Sequence, residues 1–166
     1  IRDVSGSASH GTHVAGIAAG SGIQSALIDD FGNPNGGTAF QYRGMAPNAS
    51  IVDWAGLIDA ANTLDSITND SLDLVNHSHV LSFGGNYDAD CALIDQLVRG
   101  EATSGGTPVP RRPRIFAAGN NGSSPQYGWI FGYFSTLNQA KNCVMVGSWD
   151  AGTGFLSNFS SMGPAF

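Results

Sequence analysis

Charge is scarce in this chain, since only 12% of its 166 residues are Asp, Glu, Lys or Arg. So little charge excludes an intrinsically disordered segment and a long solvent-exposed coiled coil. Seven basic residues stand against thirteen acidic ones, a net charge of -6. That removes the electrostatic footprint of a general nucleic-acid binder, and no nucleic-acid partner is expected. Long apolar runs are lacking as well. A bilayer span needs about 20 consecutive apolar residues, no stretch here comes near that length, and no membrane partner is expected. Cysteine is nearly absent. Cys91 and Cys143 could pair in a secreted protein, but two lone cysteines in periodic segments are expected to be small buried hydrophobes, which leaves the redox compartment open. What remains is 42% apolar residues with 23 glycines and 7 prolines, enough to fold around a core without metal or disulfide staples. Both ends, Ile1 and the Phe166 that follows Met162-Gly163-Pro164, read as cut, so residues 1–166 are expected to be part of one domain.

Helical and strand-like periodicities alternate along the chain. Gly11 to Gly20 predicts a small-residue helix with Val14, Ile17 and Ala18 on one face, and Ser50 to Gly56 predicts a buried strand. A short helix is expected over 57–68 and a second strand over Asp73 to His79. Ala89 to Arg99 places Leu93, Ile94, Leu97 and Val98 in one apolar stripe of a helix. Arg114 to Gly119 and Asn142 to Trp149 predict two more apolar strands. This order implies an α/β fold, a three-layer α/β/α arrangement around a mostly parallel sheet, because parallel strands joined through helices read as continuous apolar runs. Two loops interrupt it. The first, near 21–42, contains Asp29, Asp30, Asn33 and Asn35, oxygens that suit Ca²⁺, but their spacing is not that of an EF-hand, and a solvated insertion is the expectation. The second, near 103–113, carries Arg111 and Arg112 just ahead of Arg114, a charge run expected to form a wet edge open to proteolytic nicking.

Two runs carry chemistry. In Ser9-His10-Gly11-Thr12-His13-Val14-Ala15-Gly16 an imidazole stands at a helix start, where the positive end of the dipole disfavours imidazolium. A neutral His10 there can accept a proton near pH 7, as a general base must. His13 lies on roughly the same face, and a structural role in a satisfied core is expected for it. In Ile115-Phe116-Ala117-Ala118-Gly119-Asn120-Asn121-Gly122 a buried strand ends in glycine and two amides. The Asn120 carboxamide offers uncharged N–H donors where the active groups of parallel sheets collect, and such a donor suits a developing oxyanion. Taken alone, the same residues also read as an ordinary Asn-Gly turn.

These runs resemble, in order, the histidine motif and the oxyanion-asparagine motif of the subtilisin-like (subtilase) serine peptidases. Arg43-Gly44-Met45-Ala46-Pro47-Asn48-Ala49, Asn76-His77-Ser78-His79 and Asn158-Phe159-Ser160-Ser161-Met162-Gly163-Pro164 are similar to three further segments of that family. The resemblance implies that His10 is the general base of the triad and Asn120 the side-chain donor of the oxyanion hole. It places Ser78, Gly84 and Gly119 in the substrate-binding set, with the Ser78 backbone pairing to an extended polypeptide substrate. Ser82-Phe83-Gly84-Gly85 competes with Ser78 for that position, and Val80 stands where the family usually has glycine. The triad order in the family is Asp, His, Ser. Asp3 is too near His10 to be the acid, and no Gly-Thr-Ser-x-Ala-x-Pro run follows Asn120. Ser160 and Ser161 belong to a different family segment and are not the nucleophile. The 166-residue chain alone is therefore expected to be inactive, its partner being the remainder of the same peptidase domain. The resemblance implies no cofactor for the chemistry, leaves room for structural calcium at an unassigned site, and implies a secreted or extracellular protein.

Two rival readings come from other classes. The same fold can serve as a non-catalytic pseudo-peptidase or peptide-binding module. The histidines also form two close pairs, His10 with His13 and His77 with His79, which together match a tetrahedral zinc site but lack the glutamate of a His-Glu-x-x-His motif.

Overall fold

The computed structural model describes residues 8–27, 33–34, 36–53, 59–78, 87–122 and 139–161. They fall in two compact units, residues 1–57 and 58–166.

In the first unit, helix α1 (Ala8–Ala19) is followed by a short 3-10 helix, Ile23–Ala26. A helix end leaves carbonyls without partners, and here the chain returns to supply them. The Gly44, Met45 and Ala46 amides donate to the carbonyls of Gly20, Ile17 and Ala18 at 2.8, 3.0 and 2.8 Å. The described residues within 21–42 close around Ser25, which is buried. The Ser25 hydroxyl donates to the Gly22 carbonyl at 2.7 Å and accepts from the Tyr42 amide at 3.0 Å. Asp29, Asp30 and Asn35 lie outside the described residues, and Asn33 is exposed. The strand expected from Ser50 is not formed over 50–53, since a strand needs a ladder partner and no described strand pairs there; residues 54–56 lie outside the described residues.

Among the described residues of the second unit, a parallel sheet has two helices packed on one face. Helix α2 (Ala60–Asp70), strand β1 (Val75–His77) and helix α3 (Ala89–Arg99) lead to the hairpin of β2 (Thr103–Ser104) and β3 (Thr107–Pro108). Then come β4 (Arg114–Ala117), β5 (Val144–Val146) and a second hairpin, β6 (Trp149–Asp150) with β7 (Phe155–Leu156). β1, β4 and β5 form the sheet in the order β1-β4-β5, both pairings parallel, with His77 opposite Phe116 and Phe116 opposite Met145. Capping carboxylates start both helices. Asp59 accepts from the Asn62 amide at 2.6 Å and Asp88 from the Cys91 amide at 3.0 Å.

The α3 stripe predicted from sequence is the core. Cys91 and Ile94 pack with Phe116 and Ala140, all buried, and Val98, Cys143 and Met145 close the cluster. Leu97 packs with Ala102 and Val109, and with Leu64 and Ile67 of α2. Burying a side chain such as Phe116 or Ile94 contributes about 1.5–3 kcal/mol. Both cysteines are free thiols, and burial pushes each thiol pKa upward. Paired residues of a parallel ladder share a face, so Ile115, Val144 and Val146 lie on the side away from Phe116. There Val144 and Val146 remain 55% and 49% exposed.

The loop near 103–113 departs from the sequence expectation in two ways. The loop near 103–113 begins with a hairpin, because Gly105 and Gly106, at φ +53° and +83°, make the two-residue turn that only such residues adopt easily. Arg114 is not on a wet edge. Strand alternation turns it toward the covered face, where it is 2% exposed. Among the described residues, no helix is long and apolar enough to cross a membrane.

Candidate active site

His10 lies in the first turn of α1 and is exposed. A run of small residues makes this helix, Ala8 to Ala19, and the Gly44–Ala46 return described above holds its other end. The segment that resembles the family's Gly-x-Ala-Pro motif thus serves the helix that bears the histidine. His13 is exposed too. It lies one turn beyond His10 on the open side of α1 and is not the core histidine expected from sequence.

In the second unit, Ser78 follows β1, and Gly119 and Asn120 follow β4. Because β1 and β4 run parallel and adjacent, these residues leave the sheet at the same edge, the carboxyl edge where ligand sites of such sheets form. Ser78 is half-buried, and its hydroxyl accepts from the Asn76 carboxamide at 2.9 Å. Gly119 holds φ +103°, a conformation costly for any residue with a Cβ, and it swings the exposed Asn120 off the strand end. Gly84, with the rest of Ser82 to Gly85, and also His79 and Val80, lie outside the described residues.

The backbone around Asn120 is fixed from two directions. The Ala118 amide donates to the Val146 carbonyl at 2.8 Å, extending the sheet. Beyond it, the Gly119 carbonyl accepts from the Ser161 amide at 2.9 Å, and the Gly122 amide donates to the Phe159 carbonyl at 2.9 Å. The Asn121 amide donates to the Ser161 hydroxyl at 3.1 Å. Ser160 and Ser161 are 1% and 3% exposed. Sequence reasoning singled out this segment only by resemblance. Its grip on the Asn120 loop spans about forty residues, a separation that no periodicity reveals.

On the covered face of the sheet, Arg114 at the start of β4 forms a polar group with His77 and Thr63 that the sequence did not announce. The Arg114 guanidinium donates to Thr63 Oγ1 at 2.7 Å and lies 3.0 Å from His77 Nε2. A guanidinium can only donate, so His77 Nε2 is the acceptor nitrogen and carries no proton in this contact. His77 also stacks on Phe116, with ring centroids 4.2 Å apart. Burial lowers the Arg114 pKa to about 10, opposed by the charge of Asp59, and Arg114 Nε is buried without a partner among the described residues. A second cation beside this guanidinium is disfavoured, which argues against zinc at His77. Among the described residues, no group of three or more His, Cys, Asp or Glu is placed to hold a metal ion.

The arrangement supplies a surface imidazole on a helix start in one unit and an exposed amide at a parallel strand end in the other. Neither a curated protein nor a solved structure matches the sequence. The sequence model of the Subtilase family matches residues 1–166, the whole length over which the five motifs occur. The chain belongs to the subtilase family of serine peptidases.

Proposed function

We propose that this chain carries the general base and an oxyanion donor of an endopeptidase that cleaves polypeptides through an acyl-enzyme. A serine hydroxyl attacks the scissile carbonyl while His10 removes its proton, then His10 returns that proton to the leaving amine. Water repeats the sequence on the acyl-enzyme. Asn120 donates an N–H to the tetrahedral oxyanion, and Ser78 and Gly119 offer main-chain groups to the extended substrate. No cofactor enters these steps. No Asp-Ser/Thr-Gly strand end and no Gly-Thr-Ser-x-Ala-x-Pro run occurs among the 166 residues, so in this proposal the acid and the nucleophile come from polypeptide outside them.

The observation that carries the proposal is the exposed Asn120 on a left-handed Gly119 at the carboxyl edge of β4. Asn120→Ala in the peptidase that contains this chain should lower kcat about 10²–10³-fold with little change in KM; that magnitude is the one known for the corresponding donor of subtilisin itself. An unchanged kcat would remove Asn120 from the mechanism. A serine-directed fluorophosphonate should label that peptidase and leave the 166-residue chain unlabelled. A full-length protein that also resists the label would be the binding module instead.

A further inference from the structure

The geometry points to Ser161 as a positioning residue for Asn120, an assignment that rests on the oxyanion role proposed above. Asn120 is exposed, so burial does not fix it. Its orientation is set by the backbone on either side. Among the described residues, Ser161 contacts that backbone on both sides, by its amide at Gly119 (2.9 Å) and by its hydroxyl at Asn121 (3.1 Å). The Phe159 carbonyl adds the third bond, to the Gly122 amide at 2.9 Å. Among the described residues, these bonds fall on Gly119, Asn121 and Gly122 and leave Asn120 at the apex of the clasp.

The clasp is itself anchored. The Ser160 hydroxyl accepts from the Ser148 amide at 3.0 Å, and the Ser148 and Ser157 hydroxyls are bonded at 2.9 Å. The Ser157 amide donates to the Ser148 carbonyl at 2.8 Å, and the Ser160 amide to the Ser157 carbonyl at 2.9 Å. The approach is close enough that a Cβ on Gly122 would collide with the Ser160 carbonyl, so the loop has no room to drift toward the clasp. Oxyanion stabilisation depends on a donor fixed before the charge forms, and a displacement of about 1 Å can cost on the order of 10²-fold in rate. The serine pair that looks like a nucleophile by residue type instead holds the donor in place.

The test is a double-mutant cycle in the peptidase that contains this chain, with kcat and KM measured for wild type, Ser161→Ala, Asn120→Ala and the pair. Ser161→Ala should lower kcat about 10-fold to 10²-fold with KM within about twofold. In the Asn120→Ala background it should cost almost nothing further, because there is no donor left to misplace. Amide exchange should quicken at Asn121 and Gly122 while Phe116 stays protected. Should Ser161→Ala fail to fold, Ser161→Cys, which keeps a weaker acceptor at similar volume, should give the same pattern at smaller size. An unchanged kcat, or an equal loss in both backgrounds, would overturn the positioning role while leaving Asn120 in place. Full activity of Asn120→Ala, or no turnover by the wild type, would overturn the oxyanion assignment and this inference with it.

Discussion

In the first unit the described residues bury little apolar surface. Ile17, Tyr42 and Met45 are 57%, 55% and 89% exposed, and the order comes from hydrogen bonds: the main-chain Gly44–Ala46 return onto α1 and the closure around the Ser25 hydroxyl. In the second unit Ile94, Leu97, Val109 and Phe116 are at most 1% exposed, and two helices close one face of a parallel sheet. The candidate base thus stands on an element held by hydrogen bonds, each contributing about 1 kcal/mol net. The candidate donor stands beside a packed core and inside a second layer of bonds. Regions with few buried apolar contacts open locally at lower cost, so the physics that holds Asn120 differs from the physics that holds His10.

The largest break in that contrast should come from Phe116→Ala. Removing the ring from the centre of the second unit should cost about 3–5 kcal/mol of unfolding free energy, read as a fall in the urea midpoint together with lost amide protection in β4 and α3. A smaller, pH-dependent effect should follow from Asp95. Its carboxylate, 1% exposed, accepts from the Tyr87 hydroxyl and the Asn142 amide, each at 2.8 Å. Burial acts to raise its pKa, but these bonds outweigh burial and hold it below the ordinary value of 3.8. The unfolded chain therefore takes up the proton first. Stability from Asp95 is fully present above the unfolded pKa, near 4, and is lost as pH falls through the lower folded value. Asp95→Asn should flatten that acid limb in urea unfolding as pH falls below about 4. The smallest of the three belongs to the first unit, where Ser25→Ala removes one donor and one acceptor. It should cost about 1 kcal/mol and quicken exchange at the Tyr42 amide while β4 is unaffected. If Ser25→Ala proved as damaging as Phe116→Ala, the contrast between the units would fail.

Some of this was legible in the residues. The apolar stripe of Ala89 to Arg99 became α3 with the same bounds, because period and capping agree there. The strand at 114 and the place of Asn120 just past its end follow from a buried run closed by glycine. Other elements misled. Asn142 to Trp149 looks like one strand, but β5 ends at Val146 and Trp149 pairs instead with Leu156 in a hairpin. Arg114 reads as part of a charged run with Arg111 and Arg112, but strand alternation turns it inward. The Thr-Ser-Gly-Gly-Thr-Pro run looks like loop composition until the two positive-φ glycines are taken as a hairpin turn. The clasp of Ser161 on Gly119 and Asn121 was invisible, since it joins distant segments through backbone atoms that every residue possesses.

The most direct test of the central claim is the rate of peptide hydrolysis after His10→Ala in the peptidase that contains this chain. With the base gone, turnover should be abolished while the fold of the second unit, read by amide protection in β4, is kept. Full activity of that variant would contradict the assignment of His10.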